Sequence, residues 1–63
     1  MIGNCYIKNN MIYIFDEQNH QKAIINVGFG KLINFTNSLV IYEKNGILYH
    51  CNENGNVISI RKQ

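Results

Sequence analysis

The sequence contains no proline and no tryptophan, only two cysteines, and few charged residues. In the cytosol the two cysteines are expected to remain reduced thiols. Six basic and four acidic side chains give a net charge of +2, which is too small to indicate an electrostatic partner. The basic residues are also scattered, whereas those of nucleic-acid-binding domains usually cluster.

Long apolar stretches are missing as well. No run approaches the ~18 apolar residues that a membrane-spanning helix needs. The opening Met-Ile-Gly-Asn-Cys lacks the basic region and the uninterrupted apolar run of a signal peptide. We therefore expect a cytoplasmic protein with no membrane partner. The abundance of Asn, Ile and Lys fits AT-rich codons, which are typical of a low-GC bacterium or its phage.

The length of 63 residues predicts a single small domain, residues 1–63. A domain of this size buries only about 60% of the surface of its unfolded chain, so its own core supplies little stability. Self-association into a dimer or a higher symmetric oligomer is therefore expected.

What the chain does contain is an internal repeat with a period of 36 residues. Residues 5–13 align without a gap on residues 41–49. The identical pairs are Tyr6 and Tyr42, Lys8 and Lys44, Asn9 and Asn45, Tyr13 and Tyr49, and Glu17 and Glu53. Such repetition is typical of a supersecondary unit that cannot bury its apolar face alone.

Short β-branched and aromatic runs alternate with Asn/Gly clusters, and no window has apolar residues at helical spacing. The pattern predicts an all-β fold: a small antiparallel meander of about seven short strands, forming a barrel-like or rolled sheet. We predict strands at residues 2–7, 11–15, 22–27, 31–35, 39–43, 47–51 and 56–60. Two pseudo-repeated hairpins, 36 residues apart, lie within this meander.

The hairpin turns predict the register of both repeats. Asn45-Gly46 favours a two-residue type I′ turn, and Asn9-Asn10 is its weaker copy. These turns place Tyr6 opposite Tyr13 and Tyr42 opposite Tyr49.

The opposite face of the first hairpin is entirely apolar, whereas that of the second is mixed. The two sets are Cys5, Ile7, Ile12 and Ile14, and Ile41, Glu43, Leu48 and His50. We therefore expect the first hairpin to be covered on both faces, either inside a closed barrel or by a second chain. The N-terminal strand and strand 56–60 are expected to be edges that can pair across a twofold axis.

Residues 35–58 carry a family resemblance. Leu-Val-Ile-Tyr-Glu-Lys-Asn-Gly is followed by Tyr-His-Cys-Asn-Glu-Asn-Gly-Asn-Val-Ile. This segment resembles one WG-type β-repeat, in which an Asn-Gly hairpin leads into a Tyr-containing strand and a second polar-Gly turn. The Trp-Gly that names the family is replaced by Ile47-Leu48. The resemblance implies β-repeat architecture, as in propeller blades, and binding rather than catalysis, and it transfers no site residue.

The residues with reactive side chains do not form a recognisable catalytic or metal-binding pattern. Cys5 and Cys51 align on Ile41 and Phe15, so they are interpreted as buried thiols. His50 and Cys51 are adjacent on one strand and point to opposite faces, so they cannot share a metal ion. A catalytic site around His50, Glu43 and Tyr42 would need an oligomer interface, and Tyr42 points to the other face. We predict no enzyme activity, no metal and no cofactor.

The four tyrosines are the candidate binding residues. Tyr6, Tyr13, Tyr42 and Tyr49 are predicted to lie on one sheet face, bracketed by Lys8 and Lys44, where they would form a stacking surface for bases. The alternative is that they are ordinary cross-strand packing. The sequence thus predicts a small non-enzymatic binding module, an oligomeric accessory protein or phage-type regulator that binds or inhibits a macromolecular partner. The alternative function is binding of single-stranded nucleic acid or a nucleotide.

Overall fold

The computed structural model describes residues 1–62, which form seven β-strands and no helix. The strands are β1 (Ile2–Lys8), β2 (Met11–Asp16), β3 (Gln21–Asn26), β4 (Lys31–Phe35), β5 (Val40–Lys44), β6 (Ile47–Cys51) and β7 (Val57–Lys62). The predicted all-β fold is therefore confirmed. Strands β4 and β6 have the predicted bounds, β1 and β2 end one residue later, and β3, β5 and β7 differ by one or two residues at each end.

The strands form two open antiparallel sheets. Strands β1–β3 form a three-stranded sheet and β4–β7 a four-stranded sheet, each in sequence order. The chain leaves the first sheet through a turn in which the N–H of Gly30 donates to the carbonyl of Val27 at 2.9 Å. The sheets do not close into a barrel, and the two predicted edges become four, at β1, β3, β4 and β7.

Both predicted hairpin turns are present. Asn9 and Asn10 have φ angles of 53° and 67°, and Asn45 and Gly46 have φ angles of 55° and 77°. Positive φ at both central positions is what a type I′ turn requires. The predicted cross-strand pairs follow, with Tyr6 opposite Tyr13 and Tyr42 opposite Tyr49.

The structural repeat extends to the turn after each hairpin. Asp16 Oδ1 accepts hydrogen bonds from the N–H groups of Gln18 and His20, at 2.9 and 2.8 Å. Asn52 Oδ1 makes the same two bonds, at 2.9 and 3.0 Å, to the N–H groups two and four residues ahead. Strands β1–β3 therefore correspond to β5–β7, and β4 has no counterpart.

We expect Asp16→Ala to lower the free energy of unfolding and Asp16→Asn to lower it less. The alanine leaves two turn N–H groups without their acceptor, whereas asparagine holds the equivalent turn at position 52. The hydrogen bond from the N–H of His20 lowers the pKa of the Asp16 carboxyl below its usual value of 3.8. The bond from Gln18 adds a smaller effect in the same direction. The ionised carboxylate therefore stabilises the folded state above pH 3.8, and this stabilisation is lost as the pH falls through the lowered pKa of Asp16.

Urea unfolding of the three proteins at neutral pH and in acid measures this effect. Wild type and Asp16→Asn should differ at neutral pH and converge in acid. Equal unfolding midpoints for wild type and Asp16→Ala at neutral pH would contradict the prediction.

The core of the described chain lies between the two sheets. Its buried side chains are Ile2, Cys5, Ile12, Ile14, Ile25, Val27, Val40, Tyr42 and Cys51. The N–H of Ile2 donates to the carbonyl of Asn37 at 2.8 Å, which ties β1 to the turn before β5. The turn before β7 lies against β3, because a Cβ at Gly55 would be 3.3 Å from that of Ala23.

The two repeat copies bury opposite faces of their hairpins. In the first copy Ile12 and Ile14 point into the core and Tyr6 points out of it. In the second copy Tyr42 points into the core, and His50, the counterpart of Ile14, lies half-buried on the outer face. Of the two predicted ways to cover the first hairpin on both faces, the open sheets exclude the closed barrel. Coverage by a second chain stays a prediction.

Candidate binding surfaces

The structure separates the four candidate tyrosines into two pairs. Tyr6 and Tyr13 lie on the three-stranded sheet, with ring centroids 5.5 Å apart and tilted by 32°. Tyr42 and Tyr49 lie on the four-stranded sheet, stacked at 4.9 Å and 12°. Tyr42 is 7% exposed, whereas Tyr6 is 42% exposed. A common face of four tyrosines therefore does not form, because the copies turn their equivalent faces in opposite directions.

The two candidate lysines are separated in the same way. Lys8 is exposed at the end of β1, on the face that carries Tyr6. Lys44 is partly buried, and its Nζ lies 3.9 Å from the position that a Cβ on Gly28 would occupy. Only Lys8 therefore accompanies an exposed tyrosine.

The outer face of β1–β3 carries a cluster of aromatic and apolar side chains. We name it the tyrosine face and define it by Tyr6, Tyr13, Phe15 and Ile24. Tyr6 stacks on Phe15 at 5.5 Å, and Ile24 lies opposite Tyr13 and is 46% exposed. Sequence reasoning missed Phe15 and Ile24. Period-two alternation from Tyr13 could have found Phe15, but the longer turn before β3 does not predict the register of Ile24.

The outer face of β5–β7 carries polar side chains, unlike the tyrosine face. We name it the polar end face, and its members are Ile41, Glu43, Leu48, His50, Ser59 and Arg61. Their counterparts in the first copy are Cys5, Ile7, Ile12, Ile14, Ala23 and Ile25, all apolar. Four positions that are apolar in the first copy are therefore polar in the second. In the first copy this face meets the core, and in the second it meets water.

Both cysteines are buried free thiols, as predicted. Burial raises the pKa of the Cys5 thiol from 9.0 to about 11. Burial also raises the pKa of the Cys51 thiol, and a hydrogen bond from Tyr42 opposes that shift. The pKa of Tyr42 itself rises to about 12, first through burial and then through Cys51. Both thiols are therefore protonated at neutral pH, which disfavours nucleophilic chemistry.

The enzyme hypothesis names His50, Glu43 and Tyr42, and the structure turns Tyr42 away from the other two. The Glu43 carboxylate lies 3.5 Å from Lys31 Nζ. Glu43 and His50 lie on the same face of the four-stranded sheet. Tyr42 points to the opposite face and is buried, as its place on the strand predicts. His20, in the exposed turn, has its Nδ1 3.7 Å from Asp16 Oδ2.

Residues 1–62 contain no group of three or more His, Cys, Asp or Glu side chains placed to hold a metal ion. No pocket is found among the same residues. No helix in this part of the chain is long and apolar enough to cross a membrane.

A second exposed apolar surface lies at the edge strand β7. Every residue of this strand is exposed. Ile58 and Ile60 are 58% and 60% exposed, although Ile60 lies opposite Tyr49 on the core side of its sheet. The core side of the four-stranded sheet therefore extends beyond the area that the three-stranded sheet covers.

Comparison with protein-family models, with curated proteins and with solved structures finds no match to this chain. The resemblance to WG-type β-repeats therefore stays a prediction, and the fold and the two surfaces carry the functional argument.

Proposed function

We propose that this protein is a non-enzymatic binding module that pairs its edge strand β7 with an extended segment of a partner protein. In this role it is a small accessory protein or phage-type regulator, and occupation of the partner's segment modulates or inhibits that partner.

The exposure of β7 carries this proposal. An edge strand presents unpaired backbone N–H and C=O groups, which an extended peptide can pair by adding a strand to the sheet. Natural proteins usually protect such edges with charges, prolines or short strands. Strand β7 has six residues and no proline, and its two charged residues, Arg61 and Lys62, lie at its end. The exposed side chains before them, Val57, Ile58 and Ile60, are large and apolar.

The other three edges favour strand addition less. The turn at Gly55 lies against Ala23 and Ile25 of β3. Strand β1 is tied to the second sheet by the bond from Ile2 to Asn37. Strand β4 has five residues and begins with Lys31, which pairs with Glu43.

The charges of β7 define the chemistry of the partner segment. Arg61 and Lys62 end the strand, after the apolar Ile58 and Ile60. An extended segment with alternating apolar and acidic residues matches this order. Apolar side chains would cover the isoleucines, and carboxylates would lie beside the two cations.

Selection of short peptides from a randomised displayed library against the immobilised protein tests the proposal. We expect enriched peptides with alternating apolar and acidic residues. Hydrogen exchange with a bound peptide should slow at backbone amides of β7, because strand addition pairs its free N–H groups. Protection confined to another strand, or no enrichment of any peptide, would overturn the proposal.

Ile60→Glu and Ile33→Glu form a matched pair for this experiment. Ile33 lies on edge strand β4 and is 48% exposed, so both substitutions place a carboxylate at an exposed edge isoleucine. Ile60→Glu should weaken peptide binding by roughly tenfold or more, since it removes an apolar contact and repels the acidic segment. Ile33→Glu should leave it unchanged.

A further inference from the structure

Three turns meet at one end of the molecule. The carbonyl of Asn10, in the turn after β1, accepts a hydrogen bond from the N–H of Val27 at 3.0 Å. The turn between β3 and β4 lies against the end of β5, because a Cβ at Gly30 would be 2.6 Å from the carbonyl oxygen of Glu43. The turn between β5 and β6 follows directly along the chain. The three turns therefore form one continuous surface.

This surface collects most of the positive charge of the chain. The basic residues are scattered along the sequence, but the antiparallel topology brings five of the six to this end. One described carboxylate accompanies them, that of Glu43, which lies 3.5 Å from Lys31 Nζ. We name this surface the basic end, and its cations are Lys8, Lys31, Lys44, Arg61 and Lys62.

The opposite end of the molecule carries the other charged residues. Asp16, Glu17 and Glu53 lie there at the ends of strands or in turns, with Lys22 near the start of β3. The N-terminal amine lies 3.2 Å from the Glu53 carboxylate. The small net charge of +2 therefore hides a division of charge between the two ends, and the basic end attracts anions.

Phe29 projects from the basic end into water. It is 102% exposed, more than any other large apolar residue of the described chain. Phe29 stands between Gly28 and Gly30, and Lys44 Nζ lies 3.9 Å from the position of a Cβ at Gly28. The ring is therefore free of packing, with a cation beside its turn.

We propose that the basic end binds a single-stranded polynucleotide, with Phe29 stacked on a base and the surrounding cations in contact with phosphates. Proteins that bind single strands combine these two elements, an aromatic side chain for the bases and a positively charged surface for the backbone. Phe29, Lys8 and Lys44 belong to elements other than β7, so the inference goes beyond the proposed function.

The polar side chains near Phe29 favour a nucleic acid over a lipid surface. The two hairpin turns at this end present the exposed amides of Asn9, Asn10 and Asn45. An amide offers both donors and an acceptor, which can pair with the edges of unstacked bases. Among acyl chains the same groups would lose their hydrogen bonds to water. An acidic peptide would neutralise the cations but would supply no base to stack on the ring.

Titration of labelled oligothymidylate and labelled oligouridylate with the full chain at low salt tests the proposal by fluorescence anisotropy. We expect saturable binding of at least one of them, and the tighter one identifies the sugar that the site accepts. Phe29→Leu should raise the dissociation constant by roughly tenfold, because leucine is apolar but has no π face. Phe29→Tyr should bind as wild type does.

Phe29 packs against no other side chain, so both variants should remain folded. Absence of saturable binding at millimolar protein would overturn the proposal. Equal binding by wild type and Phe29→Leu would overturn it as well.

Lys8→Ala and Lys22→Ala are the matched pair for charge. Both lysines are exposed on edge strands of the first sheet, at opposite ends of the molecule. For single strands, the logarithm of the binding constant falls with the logarithm of salt concentration by about 0.7 for each phosphate contact. Lys8→Ala should weaken binding and reduce this slope by about 0.7, whereas Lys22→Ala should change neither. Equal effects of the two substitutions would overturn the proposal.

Other occupants and the proposed function give different results. Vesicles that contain phosphatidylserine are the lipid probe, and polyglutamate is the acidic-peptide probe. Binding of either one in the absence of oligonucleotide binding would overturn the proposal. Phe29→Leu should keep peptide binding at β7, whereas Ile60→Glu should weaken it and leave oligonucleotide binding dependent on Phe29. Each proposal can therefore fail without the other.

Discussion

Replacing Ile14 by histidine is expected to leave the chain largely unfolded at room temperature. Ile14 is fully buried, whereas its repeat counterpart His50 is half-buried on an outer face. Losing a buried isoleucine removes about 2–5 kcal/mol, and burying an unpaired imidazole costs about 1–3 kcal/mol more. A domain of 63 residues has a total stability of only about 3–9 kcal/mol.

His50→Ile is the reciprocal control, since it copies the first repeat into the second. Its side chain remains on the outer face, so the protein should stay folded with a free energy of unfolding close to that of wild type. Far-UV circular dichroism and urea titration measure both proteins. A folded Ile14→His protein, or an unfolded His50→Ile protein, would contradict the opposite burial of the two copies.

Gly3→Ala is expected to lower the free energy of unfolding by about 1–3 kcal/mol, as overpacking does. A Cβ at Gly3 would lie 2.6 Å from the carbonyl oxygen of Asp16 and 2.7 Å from Cα of Glu17. Both are backbone atoms, so no side-chain rotation relieves the clash. The start of β1 must therefore move away from β2. This movement strains the hydrogen bond from the N–H of Ile2 to the carbonyl of Asn37.

Gly46→Asn separates this steric effect from the loss of a glycine as such. Apart from its chain neighbours, no residue has an atom within 4 Å of a Cβ at Gly46, and its φ of +77° is close to the φ of 67° at Asn10. We expect a much smaller loss of stability there. Urea unfolding compares the two variants, and hydrogen exchange at Ile2 reports the opening of β1. Equal stability of wild type and Gly3→Ala would refute the close approach.

The tyrosine face and the β7 edge depend on features that sequence reasoning reached only in part. The register of Tyr6 and Tyr13 follows from the turn at Asn9 and Asn10, and the structure confirms it. Their position outside the core does not follow from that turn. The exposure of Ile60 could not be predicted from the sequence either, because residues 57–62 alternate apolar and polar side chains as a half-buried strand does.

The sequence by itself determined the seven strands, the two hairpin turns and the cross-strand pairs. These depend on residues a few positions apart, through positive φ at turn residues and the alternation of side chains along a strand. Only the tertiary structure decided that the meander divides into two sheets, and which face of each hairpin is buried. Tyr6 and Tyr42 have the same local sequence, and packing against the other sheet covers one of them and exposes the other.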